Sequence, residues 1–359
     1  ALPGHRGVVA AASYEARRFG IRSAMPIAEA HRRCPDAVFV RPQMDRYRRL
    51  SRQVFEILTS ITPCMEAASI DEAYLDVSGL EKLFGTPAVI ARTIKQRIVE
   101  QTGLTASVGI GPNRLIAKLG SEYRKPDGLT VVTPDQVLGF LAPMPVANLR
   151  GLGRQTQKIF RRLGIKTVAE LRAFPPHKLE QHLGETAAER FRQQAFGIAS
   201  DQVFTERRRK SISKETTFET DVQDHPLLRD ALRRLAADVA RTARRESLSG
   251  SVVTLKIRFA GFETYTRQHT LPAPTHDERD LLTTAWQLFL SGNLPDKPVR
   301  LIGVGISGWN DDQAVQADLF AAPLQREDKQ RVLNTIDDVS EKFGKGLLQV
   351  GVPHKTPSL

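Results

Sequence analysis

The apolar residues of this chain change their spacing twice, and no single-class fold accommodates both changes. Between residues 7 and 133, short apolar runs alternate with stretches at helical spacing. The pattern predicts strands over 8–12, 37–40, 73–77, 106–110 and 129–132, and helices over 27–33, 47–61, 90–98 and 115–123, with Pro63 stopping the second helix. One mixed sheet with helices would hold them. From about 134 to 200 the strand signals vanish, and short helices are parted by turns at Gly151-Leu152-Gly153, Gly164 and Gly184. From 214 to about 310 the order is strand, helix, strand, strand, helix, strand. The expected fold class is therefore α+β and multidomain: a mixed α/β part, an all-α part and a β-α-β-β-α-β part.

Charge narrows the partner. The 359 residues carry 52 Lys and Arg against 40 Asp and Glu, a net charge of +12, which favours a polyanion over a small neutral ligand. Most of that excess sits in residues 150 to 214, where 15 basic residues face 6 acidic ones. No apolar run is long enough to span a membrane and no secretory pattern opens the chain, so a soluble, cytoplasmic protein is expected. Two cysteines, Cys34 and Cys64, without CxxC spacing, and no HExxH among eight histidines, exclude a disulfide scaffold and the usual zinc sites. The chain starts at Ala1, with almost nothing before the run at 7–12, and is expected to begin inside a domain.

One short stretch carries chemistry. Ser69-Ile70-Asp71-Glu72-Ala73-Tyr74-Leu75-Asp76-Val77 places two adjacent carboxylates where one strand-like run meets another. In a regular strand neighbours face opposite ways, but at a strand entry or tight turn both can converge on one hard cation. An isolated Asp-Glu pair is more often an exposed acidic turn. Here the surrounding residues resemble the palm motif of the Y-family DNA polymerases, in the DinB or DNA polymerase IV branch. Tyr14-Glu15-Ala16-Arg17-Arg18-Phe19-Gly20 is similar to that family's triphosphate-contacting fingers segment, and Arg22-Ser23-Ala24-Met25-Pro26 to the small-residue stretch above the templating base. Lys125-Pro126-Asp127-Gly128 matches as well.

The resemblance implies template-directed, low-fidelity translesion synthesis from deoxynucleoside triphosphates, with two Mg²⁺ ions and no proofreading. It implies that Asp71 is a catalytic metal ligand and that Glu72 lies near the primer terminus, helping to hold the ion that activates the hydroxyl. It further implies nucleotide-binding roles for Tyr14, Arg17, Ser23, Ala24 and Lys125, with the Arg17 fork and the compact Lys125 ammonium on phosphate oxygens. The family places a first metal-binding Asp and a ribonucleotide-excluding aromatic residue in an N-terminal strand and helix. Neither occurs before Gly7, so the sequence as it stands is expected to lack part of the site and to be impaired on its own.

Other segments concern DNA and a partner. Leu149-Arg150-Gly151-Leu152-Gly153-Arg154 resembles the helix-hairpin-helix of the polymerase thumb, in which Gly151 and Gly153 leave backbone N–H groups open to a phosphate, beside Arg154 and Lys158. Arg207, Arg208, Arg209 and Lys210 form a basic linker between two DNA-binding units. Lys256, Arg258 and Arg267 are expected on one face of the little-finger sheet, towards DNA. In the tail, Gln316, Asp318, Leu319 and Phe320 resemble the bacterial sliding-clamp peptide, two apolar side chains on a tether.

The reading is a monomeric right-hand polymerase: incomplete fingers 1–43, palm 44–133, thumb 134–200, linker 201–213, little finger 214–310 and clamp-binding tail 311–359. Its partners would be primer-template DNA, deoxynucleoside triphosphates and the bacterial sliding clamp. The first rival is a catalytically inactive, clamp-tethered DNA-binding accessory. The second is a helix-hairpin-helix nuclease or glycosylase, which would need catalytic acids among Glu170, Glu180, Glu185 and Glu189.

Overall fold

A computed structural model describes residues 4–205 and 209–309, together with 331–333, 335–339, 342 and 343. It divides into two compact units, one formed by 1–37 with 208–359 and the other by 38–207.

The N-terminal piece of the first unit contains α1 (Tyr14–Arg18) and α2 (Ile27–Arg33). The strand expected at 8–12 is absent: only Val8 forms an isolated bridge, to Pro26, with Val9 and Met25 bonded alongside. Among the described residues no strand extends this single bridge into a ladder, and 10–12 stay irregular.

In the second unit α3 (Met44–Thr59) buries Ile57 and Leu58. A hairpin follows, β1 (Met65–Ala67) and β2 (Ala73–Leu75), paired Met65 to Leu75, Glu66 to Tyr74 and Ala67 to Ala73. After α4 (Glu81–Phe84), α5 (Pro87–Thr102) turns Ile90, Ile94 and Ile98 onto Ile57, Leu58 and Ile61. That i, i+4, i+8 row is the apolar stripe of an amphipathic helix, and each buried isoleucine contributes about 1.5–3 kcal/mol. Strand β3 (Val108–Ile110), helix α6 (Arg114–Tyr123) and strand β4 (Leu129–Val131) form a parallel β-α-β unit. The expected single mixed sheet is therefore two separate two-stranded ladders. The strand expected at 37–40 also fails to form; Val38 and Val40 stay exposed, with no ladder partner among the described residues.

Helices α7 (Val137–Leu141), α8 (Arg154–Arg162), α9 (Val168–Ala173), α10 (Pro176–Leu183) and α11 (Glu185–Ala195) complete this unit. Their core, including Phe160 edge-on to Phe191, is continuous with Leu115, Ile116 and Leu119 of α6. Helix α6 thus packs on the β-α-β sheet and on the helical cluster at once.

The remainder of the first unit runs β5 (Ser211–Val222), α12 (His225–Arg245), β6 (Gly250–Phe259), β7 (Thr264–Thr275), α13 (Glu278–Ser291) and β8 (Val299–Trp309). Its antiparallel sheet has the order β5-β8-β6-β7, and α12 and α13 cover one face. This is the expected β-α-β-β-α-β order. Farther along, Asp337 accepts bonds from Arg241 and, through both of its oxygens, from the nearly buried Arg244.

Candidate functional site

The two acids sit where a five-residue loop, 68–72, joins β1 to β2. The loop is closed by Ala68 N–H and Ser69 N–H, which both donate to the Glu72 carbonyl at 2.9 and 3.2 Å. Inside it the Ser69 hydroxyl donates to Asp71 Oδ1 and accepts from the Asp71 N–H at 3.2 Å. Asp71 and Glu72 are both exposed. Their carboxylates supply the hard oxygen donors that Mg²⁺ takes in ones and twos, with water and phosphate completing its shell. Among the described residues no group of three or more His, Cys, Asp or Glu gathers as a metal cage. The donor chemistry fits a cation finished by substrate rather than an all-protein cage.

Helix α6 contributes a cation that sequence reasoning missed. Lys118 Nζ donates to Glu72 Oε1 at 2.5 Å and to Glu122 Oε1 at 2.8 Å. Lys125 Nζ reaches the same Glu122 oxygen at 2.8 Å, so the expected phosphate ligand rests in an ion pair. The Lys118–Glu122 spacing of four was a readable signal; the reach to Glu72 was not. Burial opposes the charge on Lys118, but its bonds to Glu122 and Glu72 outweigh this and raise its pKa. Glu122 is likewise opposed by burial and pulled below the ordinary carboxylate range by Lys118 and Lys125. The stabilisation from Glu122 is complete above the usual glutamate range and is lost as pH falls through its depressed value. That from Lys118 is complete below the usual lysine range and is lost as pH rises through its raised value. Lys118→Met should move the Glu122 pKa back upward, as a carboxyl-resolved NMR titration would record; an unmoved titration would count against the triad.

Asp76 makes a local contact. Its Oδ1 accepts the Ser78 N–H at 2.9 Å, which holds its carboxyl below the usual range.

The fingers-like residues belong to the first unit, whereas Asp71, Glu72 and Lys125 belong to the second. Ser13 caps α1 by accepting the Ala16 N–H. Tyr14 is exposed, with the Arg17 guanidinium 5.0 Å from its ring centroid, and Arg17 Nε donates to the Ala12 carbonyl at 3.1 Å. Ser23 is exposed, and Ala24 holds a left-handed φ of 67° while its N–H donates to Val9 O at 2.9 Å.

The helix-hairpin-helix reading places Gly153 at the N-cap of α8, without a side-chain cap, and leaves Arg154 and Lys158 exposed one turn apart. Gly151 adopts φ +79°, a conformation that side chains disfavour. The turn is clasped by Gln194, whose Oε1 accepts the Arg150 N–H and whose Nε2 donates to the Arg150 carbonyl. The uncapped N–H groups of α8 are thus open to an anion. Of the rival acids, Glu170 is spent in a capping box with Thr167, where Oε2 accepts from Lys166 N–H and Thr167 N–H.

Arg207 and Arg208 lie outside the described residues, as do Gln316, Asp318, Leu319 and Phe320. Arg209 pairs with Glu246 at 2.8 Å, and Lys210 is exposed. The placing of Lys256, Arg258 and Arg267 on one face needs correction. Lys256 stands opposite Thr266 and Arg258 opposite Thr264, but Arg267 stands opposite buried Leu255. Directly opposed residues share a face, so Arg267 lies on the helix-covered side, where its Nε donates to Gly292 O at 3.0 Å. Lys256 and Arg258 remain on the open face, where Lys256 pairs with Glu215.

Comparison with known proteins agrees with this architecture. Residues 2–122 match the impB/mucB/samB family and residues 209–319 match that family's C-terminal domain. A DNA polymerase IV of Halorhodospira halophila is 43% identical over 320 residues, covering 89% of each chain. A Y-family DNA polymerase chimera of Dbh and Dpo4 superposes with a TM-score of 0.74 at 26% identity, over 85% of this chain and 88% of its own. An insertion ternary complex of Dbh DNA polymerase gives 0.59 at 25% identity, over 85% and 88%. The chain belongs to the Y-family DNA polymerases, in the DNA polymerase IV branch.

Proposed function

We propose that the protein is a DNA-directed DNA polymerase that adds deoxynucleoside triphosphates to a primer 3′-end on a template strand. The observation that carries this reading is the Asp71–Glu72 pair, exposed on a closed hairpin loop within reach of Lys118. Family membership adds synthesis across damaged templates without proofreading. An inactive accessory is not favoured, because such a protein has no use for this acidic pair.

The assignments are fingers 1–43, palm 44–133, thumb 134–200, linker 201–213, little finger 214–310 and tail 311–359. Asp71 and Glu72 would hold Mg²⁺, which when bound polarises the α-phosphate, eases loss of the 3′-hydroxyl proton and neutralises pyrophosphate. Lys118 tethers Glu72 beside the incoming triphosphate. Lys125, one ion pair away, exchanges Glu122 for phosphate oxygens, and Arg17 offers its planar fork to them. The N-terminus of α8 and the Lys256–Arg258 face hold the DNA backbone without reading its sequence. We place the protein in the cytoplasm as a monomer; no helix among the described residues is long and apolar enough to cross a membrane.

The test is primer extension by the protein at its natural length. Template-dictated, Mg²⁺-dependent addition of single nucleotides is expected; tight primer-template binding with no extension at any metal or nucleotide concentration would overturn the reading. For the tail, deleting 316–320 should reduce synthesis when a sliding clamp is loaded and leave it unchanged without one, since a tether acts through effective concentration. Equal synthesis with and without the motif on clamp-loaded DNA would remove the tail assignment.

A further inference from the structure

Five residues before Asp71, the centre of β1 carries a charged side chain where a core residue would be expected. Glu66 is 2% exposed, and Arg114, the first residue of α6, is 17% exposed in its side chain. Arg114 Nη2 donates to Glu66 Oε1 at 2.7 Å, and the other carboxylate oxygen accepts the Phe204 N–H at 3.0 Å. The Arg114 guanidinium lies 4.5 Å from the ring centroid of Tyr74 and 5.8 Å from that of Phe204. Tyr74 is the β2 residue directly across from Glu66, and its hydroxyl accepts from Arg150 Nη1 at 3.3 Å. Arg150 is in turn the residue clasped by Gln194 at the Gly151–Gly153 turn. A continuous run of contacts therefore leads from the acidic hairpin through α6 to the helix-hairpin-helix turn and to Phe204.

A buried ion pair is a poor device for stability, because desolvation offsets its attraction and apolar residues of similar volume hold a fold as well. What it supplies is direction. The carboxylate must meet one donor on α6 and one on the 204 backbone, while the planar guanidinium must lie against two rings. Nε of Arg114 makes no hydrogen bond among the described residues, so the plane is set by the two rings, the Glu66 contact and a long bond from Nη1 to the Gln202 carbonyl at 3.4 Å.

We propose that Glu66 and Arg114 are positioning residues for nucleotide addition: they fix the orientation of the β1–β2 hairpin on α6, and with it the Asp71–Glu72 carboxylates relative to Lys118. Neither touches the reacting atoms. The inference rests on the polymerase reading above, and its test separates the two.

The experiment measures single-nucleotide incorporation, primer-template affinity and thermal stability for three proteins at natural length. Glu66→Asp keeps the charge balance but is one methylene too short to hold the Arg114 and Phe204 donors together. It is expected to melt close to wild type and bind primer-template within about twofold, yet to lose about tenfold or more in kcat at nearly unchanged nucleotide KM, since a misplacement near 1 Å can cost up to about 10²-fold. The double variant Glu66→Gln with Arg114→Met removes both charges at similar volume and should also melt close to wild type, while its kcat stays low. A wild-type kcat in Glu66→Asp, or a rescued kcat in the double variant, would show that the pair only balances charge and would overturn the proposal. Absence of incorporation by the unaltered protein would instead strike the polymerase reading itself.

Discussion

Asp71→Ala should abolish nucleotide addition by the natural-length protein, with a rate loss on the order of 10³, while primer-template affinity stays within about twofold. The expectation follows from where the residue sits. Asp71 is exposed in a loop closed by backbone bonds to Glu72 O, so its side chain carries little of the fold. Its one described side-chain partner is the Ser69 hydroxyl, a local contact whose loss leaves β1 and β2 paired. The proposed DNA contacts are cations elsewhere, at Arg154, Lys158, Lys256 and Arg258. Removing an anion from this surface does not weaken phosphate binding. What disappears is a negative charge where a divalent cation would need it. Asp71→Asn sharpens the test, since it preserves the shape of the side chain and its bond to Ser69 but not its charge. A rate for Asp71→Asn near that of wild type would show that the hairpin acts by shape, and would remove Asp71 as a metal ligand.

What could be foreseen divides along a physical line. Periodicity along one element is local, and it located α5, α6 and every element of the 211–309 sheet domain. The acidic pair was legible for the same reason, being two adjacent residues in a motif. Strand formation is not local, because a ladder needs a partner; the run at 8–12 has strand composition but gains only one bridge, Val8 to Pro26, and the run at 37–40 has no ladder partner among the described residues. Face assignment across a hairpin depends on register. Arg258 opposite Thr264 sets even positions of β6 against even positions of β7, so odd-numbered Arg267 falls with buried Leu255. Contacts between distant segments were out of reach altogether. Nothing in the spacing of Glu66, Arg114 and Phe204, or of Glu72 and Lys118, announces that they meet.

Gly109→Ala should destabilise the protein by about 3 kcal/mol or more and lower its melting temperature by roughly 6–12 °C, because the added methyl has no space. Gly109 is the middle residue of β3, where the strand crosses α6. A Cβ there would lie 2.0 Å from the Ala117 carbonyl oxygen and 2.3 Å from the Ser121 nitrogen, both backbone atoms of the helix. No side-chain rotation relieves such a contact, so strand and helix must part. The facing residue on the helix is also a glycine: a Cβ on Gly120 would meet Gly109 Cα at 3.2 Å and Thr130 side-chain atoms at 3.7 Å, so Gly120→Ala should cost less than Gly109→Ala. The consequences go beyond stability. Helix α6 carries Arg114 and Lys118, and it joins the β-α-β sheet to the core of the helical cluster. A strand pushed off it moves Lys118 away from Glu72, so any Gly109→Ala protein that still folds should also incorporate nucleotides more slowly. A melting temperature within about 2 °C of wild type would mean that the strand and helix are not in the close contact described.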